Sequence, residues 1–253
     1  GIASHDRLVS LHPHAGDRAE QTAGGNQPLG LDTGLAMVIV AAGMGAAHIA
    51  LGIASVRAFE VPRQGMLGMD QFWRHSLYNA FVCQRMAPKC HSDKGLAYLC
   101  GLLHNFGLLL IGHLFPQEFD ELNSLREANP DASMHSLEQQ VFGASNDQQM
   151  LAVGHGAIGG ILHRLWELPD PVVKAAGMHQ QEGYHGEHEQ YVLMVQLANG
   201  LLKERGIGDE FNPDDVASLA SSLGLSEGDV ARLNEEIDSV SGELDALALS
   251  LSS

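Results

Sequence analysis

Gly101-Leu-Leu-His104-Asn105-Phe-Gly-Leu-Leu-Leu-Ile111 is apolar on every side of a single polar doublet. Asp93 upstream can cap a helix and Pro116 downstream can end one, so the run reads as a buried helix reaching Phe115, with His104 and Asn105 facing a core. The doublet has the form of a metal-binding His–carboxylate pair in which an amide has replaced the acid. A neutral carbonyl oxygen can still coordinate an ion, but it does not balance a divalent charge, and hard cations prefer anionic oxygen.

Working outward, the same period recurs. Asp70 can cap a helix that runs to about Ala87 before Pro88 and carries His75. A helix over roughly Gln149 to Leu168, stopped by Pro169, carries His155, and Asp170-Pro171 opens a short one ending near His179. Asn199 falls on a helix from about Glu187 to Arg205, closed by Gly206. Asn212-Pro213 and Ser226-x-x-Asp229 open two tail helices. No alternating strand, internal repeat or phosphate-cradling glycine loop is present, and Gly24-Gly25 reads as a plain loop. The expected fold class is all-α.

At 253 residues and 45% hydrophobic content the chain can bury one substantial core. Its 14 Lys+Arg stand against 31 Asp+Glu, a formal charge of −17, and that mean field repels nucleic-acid phosphates and anionic membrane surfaces. Much of the acidity is terminal: from Lys203 onward three cations face twelve acids, the composition of a solvated helical face or an interaction tail. Cys83, Cys90 and Cys100 fit neither a metal pair nor a disulfide framework, which reads as reduced thiols in a cytoplasmic protein. The N-terminus carries no signal-peptide pattern. Leu35 to Val56 lacks charge and is long enough to span a bilayer, but its Ala and Gly content, His48 and Gly43-Met-Gly45 point to two packed helices of a soluble core. Its small-residue face could also serve a homo-oligomer.

Of 14 histidines, four stand out. His75, His104, His155 and His179 each lie on an apolar helical face, on four different helices, so their imidazoles can converge and satisfy one another or share a metal. The other ten read as incidental, although His185 could reach the mouth of a site.

The order Arg-His75-Ser, Leu-Leu-His104-Asn105-Phe-Gly, Gly-His155-Gly-Ala-Ile-Gly with Leu165-Trp-Glu-Leu-Pro169, then His179 and Gln196-Leu-Ala-Asn199 resembles the HD superfamily, most closely its HDOD branch. The resemblance implies an HD-like multi-helix bundle over 31–210, a poorly matched segment at 1–30 that could be the end of an N-terminal helical subdomain, and acidic C-terminal helices at 211–253 packed on the core. Catalytic HD proteins are metal-dependent phosphohydrolases whose ligands would fall here on His75, His104, Asn105 and Asn199, with His155 and His179 as candidates for a second ion. Both carboxylates are amides here, the expected second member of a His-His pair is Gln180, and Gly183-Tyr184 is followed by His185 rather than proline. An amide cannot act as general base for a metal-bound water. The remaining imidazoles favour a divalent transition metal such as zinc, nickel, cobalt, manganese or iron over magnesium, if any.

Two functions follow from that resemblance. One is a non-catalytic output or scaffold module of bacterial signalling, with a degenerate metal site and protein partners that contact the acidic helices or the Ala/Gly stretch. The other is a divergent phosphohydrolase acting on phosphoesters or nucleotides, drawing its acids from outside the motif, with Glu182 and Glu187 as candidates. Nucleic-acid and membrane partners are not expected.

Overall fold

The computed structural model describes residues 59–143, 154–208 and 216–252. The Leu35–Val56 reading, the Gly24-Gly25 loop, the helix start at Gln149, the Asn212-Pro213 signal and the boundaries at residues 30 and 210 lie outside them. Every regular element among the described residues is a helix: α1 (Met69–Met86), α2 (Lys94–Leu103), α3 (Phe106–Leu114), α4 (Pro116–Ala128), α5 (Met134–Phe142), α6 (Gly154–Leu165), α7 (Asp170–Met178), α8 (Glu189–Lys203), α9 (Val216–Ser222) and α10 (Glu227–Leu251).

The caps explain most of these limits. Asp93 accepts from the Leu96 amide at 2.8 Å and starts α2 as expected, and Ser226 with Asp229 forms a capping box that starts α10. Asp70 is a correction: Gly68 is the cap of α1, and Asp70 sits in the first turn, where its charge still favours the helix dipole. Asp170 is likewise the first residue of α7 rather than its cap, which is Pro169. Two helices had no forecast at all. Pro116 both follows the end of α3, as expected, and begins α4, in whose first turn a missing N–H costs nothing, and Ser133 caps α5 by accepting from Ser136 at 3.2 Å.

The largest departure is at the doublet itself. The expected continuous helix from Asp93 to Phe115 is broken between α2 and α3, with His104 closing the first and Asn105, at φ −97° and ψ 10°, opening the second. Lys94–Leu114 is long and apolar enough to cross a membrane, yet most of it is buried inside the fold. Two glycines permit the close crossings that bury it. A Cβ on Gly101 would stand 2.6 Å from the Asn79 carbonyl oxygen of α1, and one on Gly107 would collide with the His155 carbonyl of α6.

The main core joins α1, α2, α7 and α8, and a second cluster of Leu108, Ile111, Phe119, Leu122, Leu137 and Phe142 fills the space between α3, α4 and α5. The acidic helix α10 lies on α1. Arg74 reaches Asp245 at 2.8 Å, Tyr78 donates to the Ser241 carbonyl at 2.9 Å, Lys89 meets Asp229 at 3.2 Å, and Arg85 pairs with Glu236. Part of the terminal acidity is therefore neutralised by cations of α1 and of the turn that follows it, while Glu235 and Glu243 remain exposed.

Candidate functional site: a histidine cluster closed by amides

Six residues named from the sequence meet in one place. His75 on α1, His104 and Asn105 at the α2–α3 break, His155 on α6, His179 closing α7 and Asn199 on α8 are all buried, none more than 4% exposed. Ring centroids step from His75 to His104 (4.9 Å), His104 to His179 (5.0 Å) and His179 to His155 (5.1 Å). The break in the helix brings His104 and Asn105 to the crossing of four elements, because Gly107 lets α6 approach at His155.

Donor and acceptor roles follow along the chain of contacts. The Val195 carbonyl can only accept, so Asn79 turns its amide nitrogen toward it (3.5 Å) and donates to Asn199 Oδ1 (2.6 Å), while the Cys83 thiol donates to Asn79 Oδ1 (3.3 Å). Asn199 thus presents its oxygen to His75, whose Nε2 donates at 2.8 Å. A neutral imidazole then keeps its lone pair on Nδ1, which accepts from Asn105 Nδ2 at 3.2 Å. Asn105 in turn aims its oxygen at His155 Nε2, 3.1 Å away.

The far end of this relay is a residue the sequence reading missed. Glu138 on α5 is 1% exposed, and its Oε1 accepts from the His155 backbone amide at 3.0 Å and from His155 Nδ1 at 2.7 Å. His155 therefore donates at Nδ1, and its Nε2 faces both the Asn105 oxygen and His179 Nε2, at 3.2 Å. His179 already donates from Nδ1 to the Ala176 carbonyl at 2.7 Å, so its Nε2 is an acceptor. Glu138 thus holds His155 through both its backbone amide and its ring, and leaves His155 Nε2 facing the Asn105 oxygen and His179. A carboxyl group can be buried this deeply when it is hydrogen-bonded in this way.

The remaining candidates do not join the cluster. Glu187 pairs with Lys174 at 3.1 Å on the surface, Glu182 is exposed, and His185 is exposed and bonds Glu189 at 2.9 Å. The acid outside the motif is Glu138, and no local pattern marked α5 as contributing one. Gln180 lies beside the cluster, with its oxygen 3.2 Å from where a Cβ of Gly156 would stand. His163, read as incidental, is fully buried between Phe106 and Trp166 (ring centroids 5.9 Å from each), and burial pushes it down to about 3 from its ordinary 6.5.

His104, His155 and His179 have the anchoring that metal-bound imidazoles show, each donating from Nδ1 to a carbonyl or carboxylate; for His104 the acceptor is the Gly101 carbonyl at 2.7 Å. Among the described residues, however, no three His, Cys, Asp or Glu side chains are arranged to hold an ion. The amides at 105 and 199 face imidazole nitrogens instead. The residues do not fit a charge-balanced hydrolytic metal centre. Space is also short: the cleft beside His75 and Asn105 has a volume of about 10 Å³, scarcely room for one water.

Comparison with known proteins places the fold. The solved structure of a provisionally assigned signal transduction protein from Marinobacter aquaeolei VT8 superposes with a TM-score of 0.66 at 26% identity, covering 82% of this chain and 44% of that one. An HDOD domain protein of unknown function from Geobacter sulfurreducens gives a TM-score of 0.62 at 22% identity, covering 81% of this chain and 69% of that one. An uncharacterized protein of Treponema pallidum (strain Nichols) is 30% identical over 133 residues, 51% of this chain and 24% of its own length. The chain thus spans about a quarter of that curated relative and under half of the Marinobacter protein. The HDOD domain family matches residues 39–182, more than half of the sequence, and the chain belongs to the HDOD family.

Proposed function

We propose that the chain is a non-catalytic signal-transduction module, a bacterial and cytoplasmic output or scaffold domain whose histidine cluster is a hydrogen-bonded polar core. The observation that carries this is the use of Asn105 and Asn199. Where a hydrolase needs carboxylates on an ion, these amides bridge His75 to His155 and Asn79 to His75. The 26% identical relative assigned to signal transduction supports the same class. Protein partners would meet the exposed acids of α10, such as Glu235 and Glu243.

Glu138 favours a second reading. As a buried carboxylate on His155 it could supply part of the negative charge that residues 105 and 199 lack, as a divergent metal-dependent phosphohydrolase would require. One experiment separates the two: metal analysis of untagged protein, with turnover of phosphomonoesters, nucleotides and cyclic dinucleotides, for the native chain and for Asn105→Asp with Asn199→Asp. The module reading expects no turnover in the native chain; stoichiometric metal with robust hydrolysis would sink it.

A further inference from the structure

Away from the histidine cluster, the end of α1, the start of α2 and the first turns of α10 enclose a groove of about 280 Å³. Met86, Leu225 and Leu233 form its buried apolar floor. Its rim carries Arg85, Lys89, Lys94 and Arg232, four of the 14 lysines and arginines in a chain whose formal charge is −17. Cations so scarce are not gathered in one place by composition alone. Two of them have a structural use, since Arg85 pairs with Glu236 and Lys89 with Asp229 to seat α10 on α1. Asp229 is further committed to Ser226 in the capping box, which with Lys89 holds its carboxyl down at about 2. Lys94 and Arg232 have no such use. Neither forms a salt bridge among the described residues, although the Arg232 charge helps hold the Glu236 carboxyl down, and four cations against Asp229 and Glu236 leave the groove two positive charges.

We propose that this groove binds a small phosphorylated molecule, its phosphate held by Lys94 and Arg232 and its organic body laid on the Met86–Leu233 floor. A phosphomonoester dianion needs two cationic donors, and charge-assisted bonds to it are the stronger kind. The volume exceeds that of a bare phosphate and suits a compact sugar phosphate. Such a site would give the module a ligand input through the junction between the core and α10, independent of the histidine cluster.

The test uses the full chain with ribose 5-phosphate as probe, by calorimetry and amide chemical shifts. Saturable binding is expected at low salt, with shifts concentrated in residues 84–94 and 225–236 and affinity falling as ionic strength rises. Lys94→Gln with Arg232→Gln should weaken it by about tenfold or more while leaving the ligand-free melting temperature unchanged, because neither side chain helps to clamp α10. The titration needs neither metal nor turnover, so failure of the histidine-cluster reading cannot be mistaken for failure of this one. Absence of saturable binding at millimolar probe, or equal affinity in the Lys94/Arg232 double variant, overturns the proposal.

Discussion

Replacing Glu138 with alanine removes the acceptor that two buried donors of His155 share, the backbone N–H at 3.0 Å and Nδ1 at 2.7 Å. Neither donor has water to turn to, because Glu138 and His155 are essentially inaccessible. Leaving each unmet costs about 1–3 kcal/mol, so the expected loss for the two donors is about 2–6 kcal/mol. Against a typical total of about 5–15 kcal/mol that is severe. Glu138→Gln keeps an oxygen in place and loses only the charge assistance, about 1–2 kcal/mol. Urea titration followed by far-ultraviolet circular dichroism reads both variants on one slope, with the alanine midpoint well below the glutamine one. Equal midpoints for native, glutamine and alanine proteins would refute the assignment of Glu138 as the acceptor that holds His155 in place.

Gly107→Ala should lower the melting temperature by roughly 5–10 °C, since its Cβ meets the His155 carbonyl of α6 and costs about 1–3 kcal/mol of helix separation; Gly242→Ala, on the open face of α10, should instead gain about 0.5–1 kcal/mol in the same melt. His163 is held neutral down to about 3, whereas in the unfolded chain it protonates near 6.5. Between those values the unfolded state binds the extra proton, so this contribution to stability is intact above about pH 6.5 and is lost as pH falls, at up to about 1.4 kcal/mol per unit. His163→Leu should flatten that acid limb in stability-versus-pH curves, and a superimposable limb would argue against it. Tyr78→Phe loses the hydrogen bonds to the Ser241 carbonyl and Asp245, and equilibrium unfolding should register a loss of about 1–1.5 kcal/mol.

The all-α class and most helix limits were legible in the sequence, because apolar period, Asp93, Ser226 with Asp229, and Gly206 act through contacts within a few residues. The six site positions were legible as well, since polar groups embedded in apolar runs must find one another in a core. Three things were not. The helix break at His104–Asn105 is enforced by side-chain bonds to α1 and α6, elements far away along the chain. The helices between Pro116 and Phe142 were hidden because a proline that ends one helix can equally begin the next. Glu138 stands on an otherwise ordinary short helix, 17 residues before the histidine it bonds.

The sequence alone determined which side chains would be buried without charge at the doublet, because an amide is an amide in any fold. Only the tertiary structure decided what those amides do there: a hydrogen bond has direction, and whether Asn105 turns its oxygen to an ion or to His155 depends on partners brought together by helix crossings that no local pattern encodes.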